Sequence, residues 1–309
     1  MNSLTKFFFY LLFSVLIGAL VAPFVYWIIA LIPAHVGTLS PLIHSIQQMP
    51  FHRYLSRSIQ VTALILLWPT IATLKIYRLS DFYLYQNPYA FRDLLMGIII
   101  GIIPVFLMQI FFLWNGWYLI NEKFSFLLLP KIFLATIAVA IFEEFFFRGV
   151  LLGLCRDILT NKAAIILISL AFAGVHFLNF PHTQSEVTHW WSGLALLLHA
   201  GSGMVAGWLA FGAFMTLLMI GIILAWVTVR TGSLFLAIGL HAAWIFSQQL
   251  FNFLAHYNIE PQNALLPWFG VPQVYGMVPI GIFPLFSLLI TTLFLRQWLG
   301  RREKLLCGC

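Results

Sequence analysis

Long apolar runs separated by short polar breaks dominate the chain. A run of about 20 apolar residues is long enough to cross a bilayer. Eight such runs fall at 7–32, 59–77, 94–121, 132–154, 163–180, 208–229, 233–252 and 276–295. Four of them contain an internal proline, which helix bundles tolerate because neighbouring helices satisfy the freed backbone groups. The pattern therefore predicts an all-α polytopic membrane protein with about eight transmembrane helices.

Two stretches do not fit a regular series of spans. Residues 181–207 are first polar and then apolar, which predicts an interfacial or re-entrant segment, and the prolines and glycines of 255–273 predict an external loop. We therefore expect three parts. The first three transmembrane helices occupy 1–131, and helices four to seven occupy 132–252, including 181–207. The external loop, the last helix and a basic cytoplasmic tail occupy 253–309.

Composition and charge support a membrane location and indicate an orientation. Of the 309 residues, 62% are hydrophobic and 8% are charged, whereas soluble domains carry about 25% charged residues. The net charge is +7, and the basic residues occur singly at the ends of apolar runs. This distribution indicates contact with anionic lipid headgroups and not with nucleic acid. When Arg148 is set aside because it lies within an apolar run, eleven lysines and arginines lie on the side of the N-terminus and four on the other side. Both termini are thus expected in the cytoplasm, and we expect the membrane to be the inner membrane of a bacterial cell.

Three charged residues lie within the fourth apolar run, in the stretch "FEEFFFRG". A charge at the bilayer centre costs about 2.5–3.5 kcal/mol, so these side chains must face protein or water. Glu144 and Arg148 are four residues apart and can form a purely structural ion pair on one helix face. That argument does not account for Glu143, which projects about 100° away. A glutamate in such a setting is suited to general acid–base catalysis.

Two histidines lie in other apolar runs, His176 in "FAGVHFLNF" and His241 in "AIGLHAAWIF". A single histidine of this kind is more often a hydrogen-bonded residue between packed helices. Three helices that each supply an acid or base indicate a shared polar site in which glutamate, histidine and water would carry out hydrolysis. The HExxH, GxSxG and P-loop motifs are missing from the sequence. A proton-coupled transporter is a further alternative, although the first half lacks the matching polar segments that inverted repeats predict.

Three motifs resemble one family in their order and spacing. They are EExxxR (Glu143, Glu144, Arg148), FxxxH (Phe172, His176) and the histidine of "GLHAAW" (His241). In this respect the chain is similar to the CPBP family, also called the ABI or type II CAAX prenyl endopeptidase family of intramembrane proteases. The resemblance covers about 110 residues, from the fourth to the seventh predicted span.

The resemblance implies an eight-helix protease whose catalytic cavity lies within the membrane. Glu143 would activate a water molecule, His176 would help to hold and deprotonate it, and His241 would help to stabilise the oxyanion. Glu144, Arg148 and Phe172 would support these groups. The implied partner is a membrane-anchored or prenylated protein or peptide substrate within the lipid bilayer.

The sequence departs from the family pattern at Ile245, where asparagine is expected four residues after His241. Isoleucine cannot donate a hydrogen bond, and loss of one oxyanion donor typically lowers the rate by about 10²–10³. Gln248 or Asn179 could replace the donor. The alternative is a non-catalytic member of the family that serves in bacteriocin immunity or partner binding.

No cofactor is firmly implied, and we expect catalysis without a metal. A zinc site formed by Glu143, His176 and His241, with water as the fourth ligand, stays an alternative. These ligands are far apart in the sequence, so their spacing does not decide between the two.

Overall fold

The computed structural model describes residues 3–33, 40–74, 83, 87–122, 126–176, 188–199, 208–258, 268 and 280–307. Its helices are α1 (Ser3–Leu31), α2 (Ser40–Gln47), α3 (Phe51–Leu74), α4 (Ala90–Trp114), α5 (Leu129–Glu144), α6 (Leu152–Arg156), α7 (Asn161–Val175), α8 (Ser192–Leu198), α9 (Trp208–Thr231), α10 (Phe235–Leu254) and α11 (Ile282–Cys307). A 3-10 turn at Phe126–Leu128 precedes α5, and a π-helix at Phe145–Leu151 joins α5 to α6. Strands β1 (Tyr118–Ile120) and β2 (Ala255–Tyr257) pair in antiparallel fashion.

The described residues confirm an all-α polytopic membrane protein. Six of their helical stretches are long and apolar enough to cross a membrane: Thr5–Leu31, Phe51–Thr73, Ala90–Trp114, Phe126–Arg156, Ala210–Thr231 and Ile282–Glu303. Helix α7 is shorter, at 15 residues, and α10 has the length of a span but carries several polar side chains. The count of eight spans and the orientation stay predictions. Large apolar side chains such as Trp68 and Leu31 are exposed, as expected for helices that contact lipid.

The predicted end of the third apolar run is wrong. The third apolar run extends to residue 121, but α4 ends at Trp114 and the chain continues into β1. Gly116 follows with a φ of 68°, a left-handed conformation that commonly terminates helices and that glycine adopts without steric cost. The predicted external loop 255–273 likewise begins as β2, and most of its remaining residues lie outside the described ranges.

The first compact unit comprises Met1–Tyr77 and His176–Met204. Its described helices are α1, α2, α3 and α8, with Ala19, Ala22 and Leu55 buried among them. Helix α8 packs closely against α1, because a Cβ at Gly193 would collide with the carbonyl oxygen of Ala19. Only residues 188–199 of the 181–207 segment are described, so its interfacial or re-entrant character stays a prediction.

The second compact unit comprises Arg78–Val175 and Val205–Cys309. Its core joins α4, α9, α10 and α11 through buried residues that include Ile100, Ile223, Leu240 and Leu295. Helix α4 thus belongs to the same compact unit as α10, whereas the division predicted from the sequence assigns it to 1–131.

Small residues let α4 and α10 approach closely within this unit. A Cβ added at Gly101 of α4 would lie 2.8 Å from the Cβ of Ala243, and one at Gly97 would collide with the carbonyl oxygen of Leu236. Such close packing through glycines is common between membrane helices. It fixes the position of α10, the helix that carries His241.

Candidate active site

The EExxxR motif spans a change of helix type. Glu143 and Glu144 are the last residues of α5, and Arg148 lies in the π-helix that follows. Single π-helical turns inside α-helices occur often at functional sites, because the wider turn redirects the side chains around it. The fourth predicted span is therefore continuous in the structure, but it is not a uniform α-helix.

Glu144 and Arg148 form the ion pair that the sequence analysis considered. Arg148 Nη1 donates to Glu144 Oε1 at 2.8 Å, and both side chains are 0% exposed. Arg148 Nη2 is also directed towards the carbonyl oxygen of Gly221 at 3.5 Å. A charge pair buried this completely needs good geometry, because the loss of hydration costs several kcal/mol for each ion.

His241 contributes a second hydrogen bond to the same carboxylate oxygen. Its Nδ1 lies 2.7 Å from Glu144 Oε1. An ionised carboxylate only accepts hydrogen bonds, so the imidazole donates from Nδ1. This bond fixes the orientation of the ring and leaves Nε2 directed away from Glu144. The sequence motifs do not predict this contact.

Glu143 lies on the other side of the same imidazole. Its Oε2 is 3.8 Å from His241 Nε2, and its side chain is 23% exposed. A separation of this size is longer than a hydrogen bond, but it allows one water molecule to contact both atoms. The two glutamates therefore differ in environment. The side chain of Glu144 is fully buried, whereas that of Glu143 is partly exposed, although its Oε2 atom is itself buried.

Phe172 packs against both Arg148 and His241. Its ring centroid lies 4.3 Å from Arg148 Cζ and 5.9 Å from the centroid of the His241 ring, which it meets edge to face. The negative face of an aromatic ring attracts a guanidinium, and the attraction increases when water is excluded. Phe172 thus holds Arg148 and His241 in place from the side of α7.

Comparison with known families connects this geometry to one of them. Residues 125–247 match the model of the family described as Type II CAAX prenyl endopeptidase Rce1-like. This segment is an Rce1-like domain. The family prediction is confirmed for these residues. No curated protein and no solved structure matches the chain.

The Rce1-like domain begins before α5 and ends within α10. It contains Glu143, Glu144, Arg148, Phe172 and His241, which the structure brings together. His176 follows directly after α7, is exposed, and is grouped with the first compact unit. Its part in the site stays a prediction.

Ile245, the residue that departs from the family pattern, lies one helical turn after His241 in the Rce1-like domain. Ile245 is half-buried and offers no side-chain donor. Of the two suggested replacements, Asn179 lies outside the described residues. Gln248 lies just beyond the matched segment, is buried, and donates to Asn252 Oδ1 at 3.0 Å.

The proposed zinc ligands do not form a recognisable metal site in the described part of the chain. Among those residues, no group of three His, Cys, Asp or Glu side chains is arranged to hold a metal ion. His241 also uses Nδ1 for its bond to Glu144, and Nε2 alone is directed towards Glu143. We therefore derive no step through a metal.

Proposed function

We propose that this protein is an intramembrane endopeptidase that hydrolyses a peptide bond of a lipid-anchored or membrane-embedded substrate. One observation supports the proposal most directly. His241 lies between two glutamates, with Nδ1 bound to the buried Glu144 and Nε2 3.8 Å from Glu143 Oε2. This arrangement of a base, a histidine and an orienting carboxylate is suited to the activation of water.

In the proposed reaction, a water molecule contacts Glu143 Oε2 and His241 Nε2. Glu143 accepts a proton from the water as its oxygen bonds to the carbonyl carbon, and the π-electron pair of the carbonyl moves onto its oxygen. When the tetrahedral intermediate collapses, the C–N bond breaks and Glu143 returns the proton to the leaving amine. His176 would help to hold the water, as the family resemblance implies.

The charges of the cluster are suited to these reaction steps. With His241 neutral, Glu143, Glu144 and Arg148 carry a net charge of −1. If His241 already carries a second proton when the water attacks, Nε2–H can donate to the oxyanion. The oxyanion then replaces the charge of the protonated Glu143, so the cluster and the intermediate together are neutral. Glu144 therefore acts as a positioning residue, because it orients the ring through Nδ1.

The family name and the apolar helices suggest the substrate and its location. We propose that the substrate is a prenylated protein with a C-terminal CAAX sequence, because the matched family is described by that activity. Six long apolar helices among the described residues support a multi-pass membrane protein, and we propose that the membrane is a bacterial inner membrane. Fractionation of membranes from the source cells tests this location.

Purified protein in liposomes, supplied with a prenylated CAAX peptide, tests the activity. We expect Glu143→Gln to lower kcat by about 10²–10⁴, because general acid–base catalysis contributes about that factor. Glu122→Gln is a matched control, since Glu122 is exposed and precedes the Rce1-like domain. Undiminished cleavage by the Glu143 variant would contradict the proposal.

A non-catalytic role is the second candidate, and Ile245 favours it. If catalysis lacks only the oxyanion donor, Ile245→Asn should raise kcat by up to about 10²–10³. If neither protein cleaves the peptide, and a cellular phenotype of the gene survives Glu143→Gln, the protein acts by binding a partner.

A further inference from the structure

One face of α10 carries a line of polar residues that begins at the candidate site. Gln248 and Asn252 follow His241 by seven and eleven residues. At 100° per residue, both project within about 20° of the direction of His241. Asn252 is exposed, whereas Gln248 is 8% exposed. The line therefore runs from the buried histidine to the surface of the second unit.

The hydrogen bond between these two amides stays within one helix. Gln248 Nε2 donates to Asn252 Oδ1 at 3.0 Å, so this contact does not connect α10 to a neighbour. Gln109 of α4 differs, because its Nε2 donates to the backbone carbonyl of Ser247 at 3.1 Å and joins two helices. Polar side chains in membrane helices commonly serve to bind neighbouring helices. Gln109 fits that role, and Gln248 and Asn252 do not.

The two amides keep hydrogen-bonding capacity after their mutual contact. Gln248 Oε1 and Asn252 Nδ2 form no hydrogen bond with the other described residues. One of these atoms accepts and the other donates. A peptide group offers the complementary N–H and C=O. Asn252 is exposed and Gln248 is 8% exposed, so a ligand that offers these two groups can reach both amides and form a hydrogen bond with each.

We propose that Gln248 and Asn252 bind the main chain of an extended substrate peptide as it leaves the candidate site. The identity of the ligand as a substrate rests on the proposed function. Seven helical residues span about 10 Å, which an extended peptide covers with about three residues. Gln248 thus contacts the substrate about three residues from the scissile bond, and Asn252 contacts it about two residues further on.

The test compares Gln248→Leu with the control variant Gln249→Leu. Gln249 is the adjacent residue, and its side chain projects from the helix about 100° away from that of Gln248. The probes are prenylated CAAX peptides in which one backbone N–H at a time is methylated. For Gln248→Leu and Asn252→Leu we expect KM to rise about threefold to tenfold, as for the loss of one hydrogen bond, with kcat unchanged. Methylation at the residue that contacts Gln248 should raise KM for the wild-type protein but not further for Gln248→Leu.

The same substitutions in the Glu143→Gln background separate binding from cleavage. Fluorescence anisotropy of a labelled peptide should show the same threefold to tenfold loss of affinity for Gln248→Leu. If the wild-type protein cleaves the peptide and Gln248→Leu behaves like Gln249→Leu, the inference is wrong and the proposed function stands. If peptide binds without cleavage, and Gln248→Leu weakens it, the inference stands and the proposed function is wrong. If the peptide is neither bound nor cleaved, both are wrong.

Discussion

The described residues of the second compact unit include two buried ion pairs, and the surroundings of these pairs differ. In one, Glu144 accepts hydrogen bonds from Arg148 and His241. In the other, Asp93 of α4 accepts hydrogen bonds from Arg302 of α11. Both carboxylates are 0% exposed. Burial alone therefore does not separate a structural pair from a functional one.

The pairs differ in how completely their polar atoms are satisfied. Arg302 donates from Nε and Nη2 to the two oxygens of Asp93 at 3.1 Å each, and Asn87 Nδ2 adds a bond of 2.8 Å. At Glu144, both donors use Oε1. Within the described residues, Glu144 Oε2 and Arg148 Nε have no hydrogen-bond partner.

This difference indicates different roles. A two-point arginine–carboxylate pair with an additional amide donor is a strong and directional connection, and Asp93–Arg302 joins α4 to α11. Unsatisfied buried polar atoms instead cost stability, and natural proteins tolerate them chiefly where function requires it. The Glu144–Arg148 pair also holds a histidine whose second nitrogen is directed towards another glutamate. The Asp93–Arg302 pair thus connects two helices, whereas the Glu144–Arg148 pair positions His241.

The largest expected effect tests this division of roles directly. Glu144→Gln removes the charged acceptor that orients His241, and we expect kcat to fall by about 10²–10⁴, as when the orienting carboxylate of a catalytic triad becomes an amide. Asp93→Asn, the matched change in the other pair, should leave kcat of the folded protein unchanged. Peptide cleavage in liposomes measures both values. A similar kcat for both variants would show that the two pairs have the same role.

Arg148→Met is expected to cause the largest loss of stability. It leaves the Glu144 carboxylate buried without its cation, and removal of one partner of a buried pair costs about 3–5 kcal/mol. Thermal unfolding in detergent, followed by tryptophan fluorescence, measures the change. The double variant Glu144→Gln/Arg148→Met should be less destabilised than Arg148→Met, because no uncompensated carboxylate stays buried. Additive losses in the double variant would contradict the importance of the pair.

Several features of the site follow from the sequence by local rules. The apolar length of the fourth run predicts a span, and the spacing of Glu144 and Arg148 allows their pairing. The cost of inserted charges indicates that these residues face protein. The contact between His241 and Glu144 was not predictable in this way. It depends on the packing of α5 against α10, which brings together two residues that are 97 positions apart in the chain.

The fold also combines features that local sequence signals predict with contacts that only tertiary packing determines. The end of α4 at Trp114 had a local signal, since "NG" at Asn115 and Gly116 is typical of a helix terminus. The apolar residues of β1 concealed it by extending the hydrophobic run. Asp93 and Arg302 had no such signal, because 209 positions separate them. Tertiary packing alone determines which of the scattered charges become partners.

Asp93→Asn is expected to have a moderate effect on stability. It removes the charge that Arg302 binds but keeps the shape of the side chain, so we expect a loss of about 1.5–3 kcal/mol, as for hydrogen bonds to charged groups. Thermal unfolding measures this loss in the same detergent as for the Arg148 variant. An unchanged melting temperature would show that the connection between α4 and α11 contributes little.

The smallest expected effects concern the aromatic ring beside each pair. Phe172 lies on the buried Arg148, and Trp298 lies 4.8 Å from Cζ of the exposed Arg92, next to Asp93. Cation–π contacts contribute about 2 kcal/mol when desolvated and about 0.5–1 kcal/mol when exposed. Phe172→Leu should therefore lower the free energy of unfolding by about 1–2 kcal/mol and also lower kcat, because the ring packs against His241. Arg92→Met should cost about 0.5–1 kcal/mol and leave kcat unchanged. If Phe172→Leu lowers stability without any change in kcat, His241 is held by Glu144 alone, and the ring of Phe172 is part of the core rather than of the site.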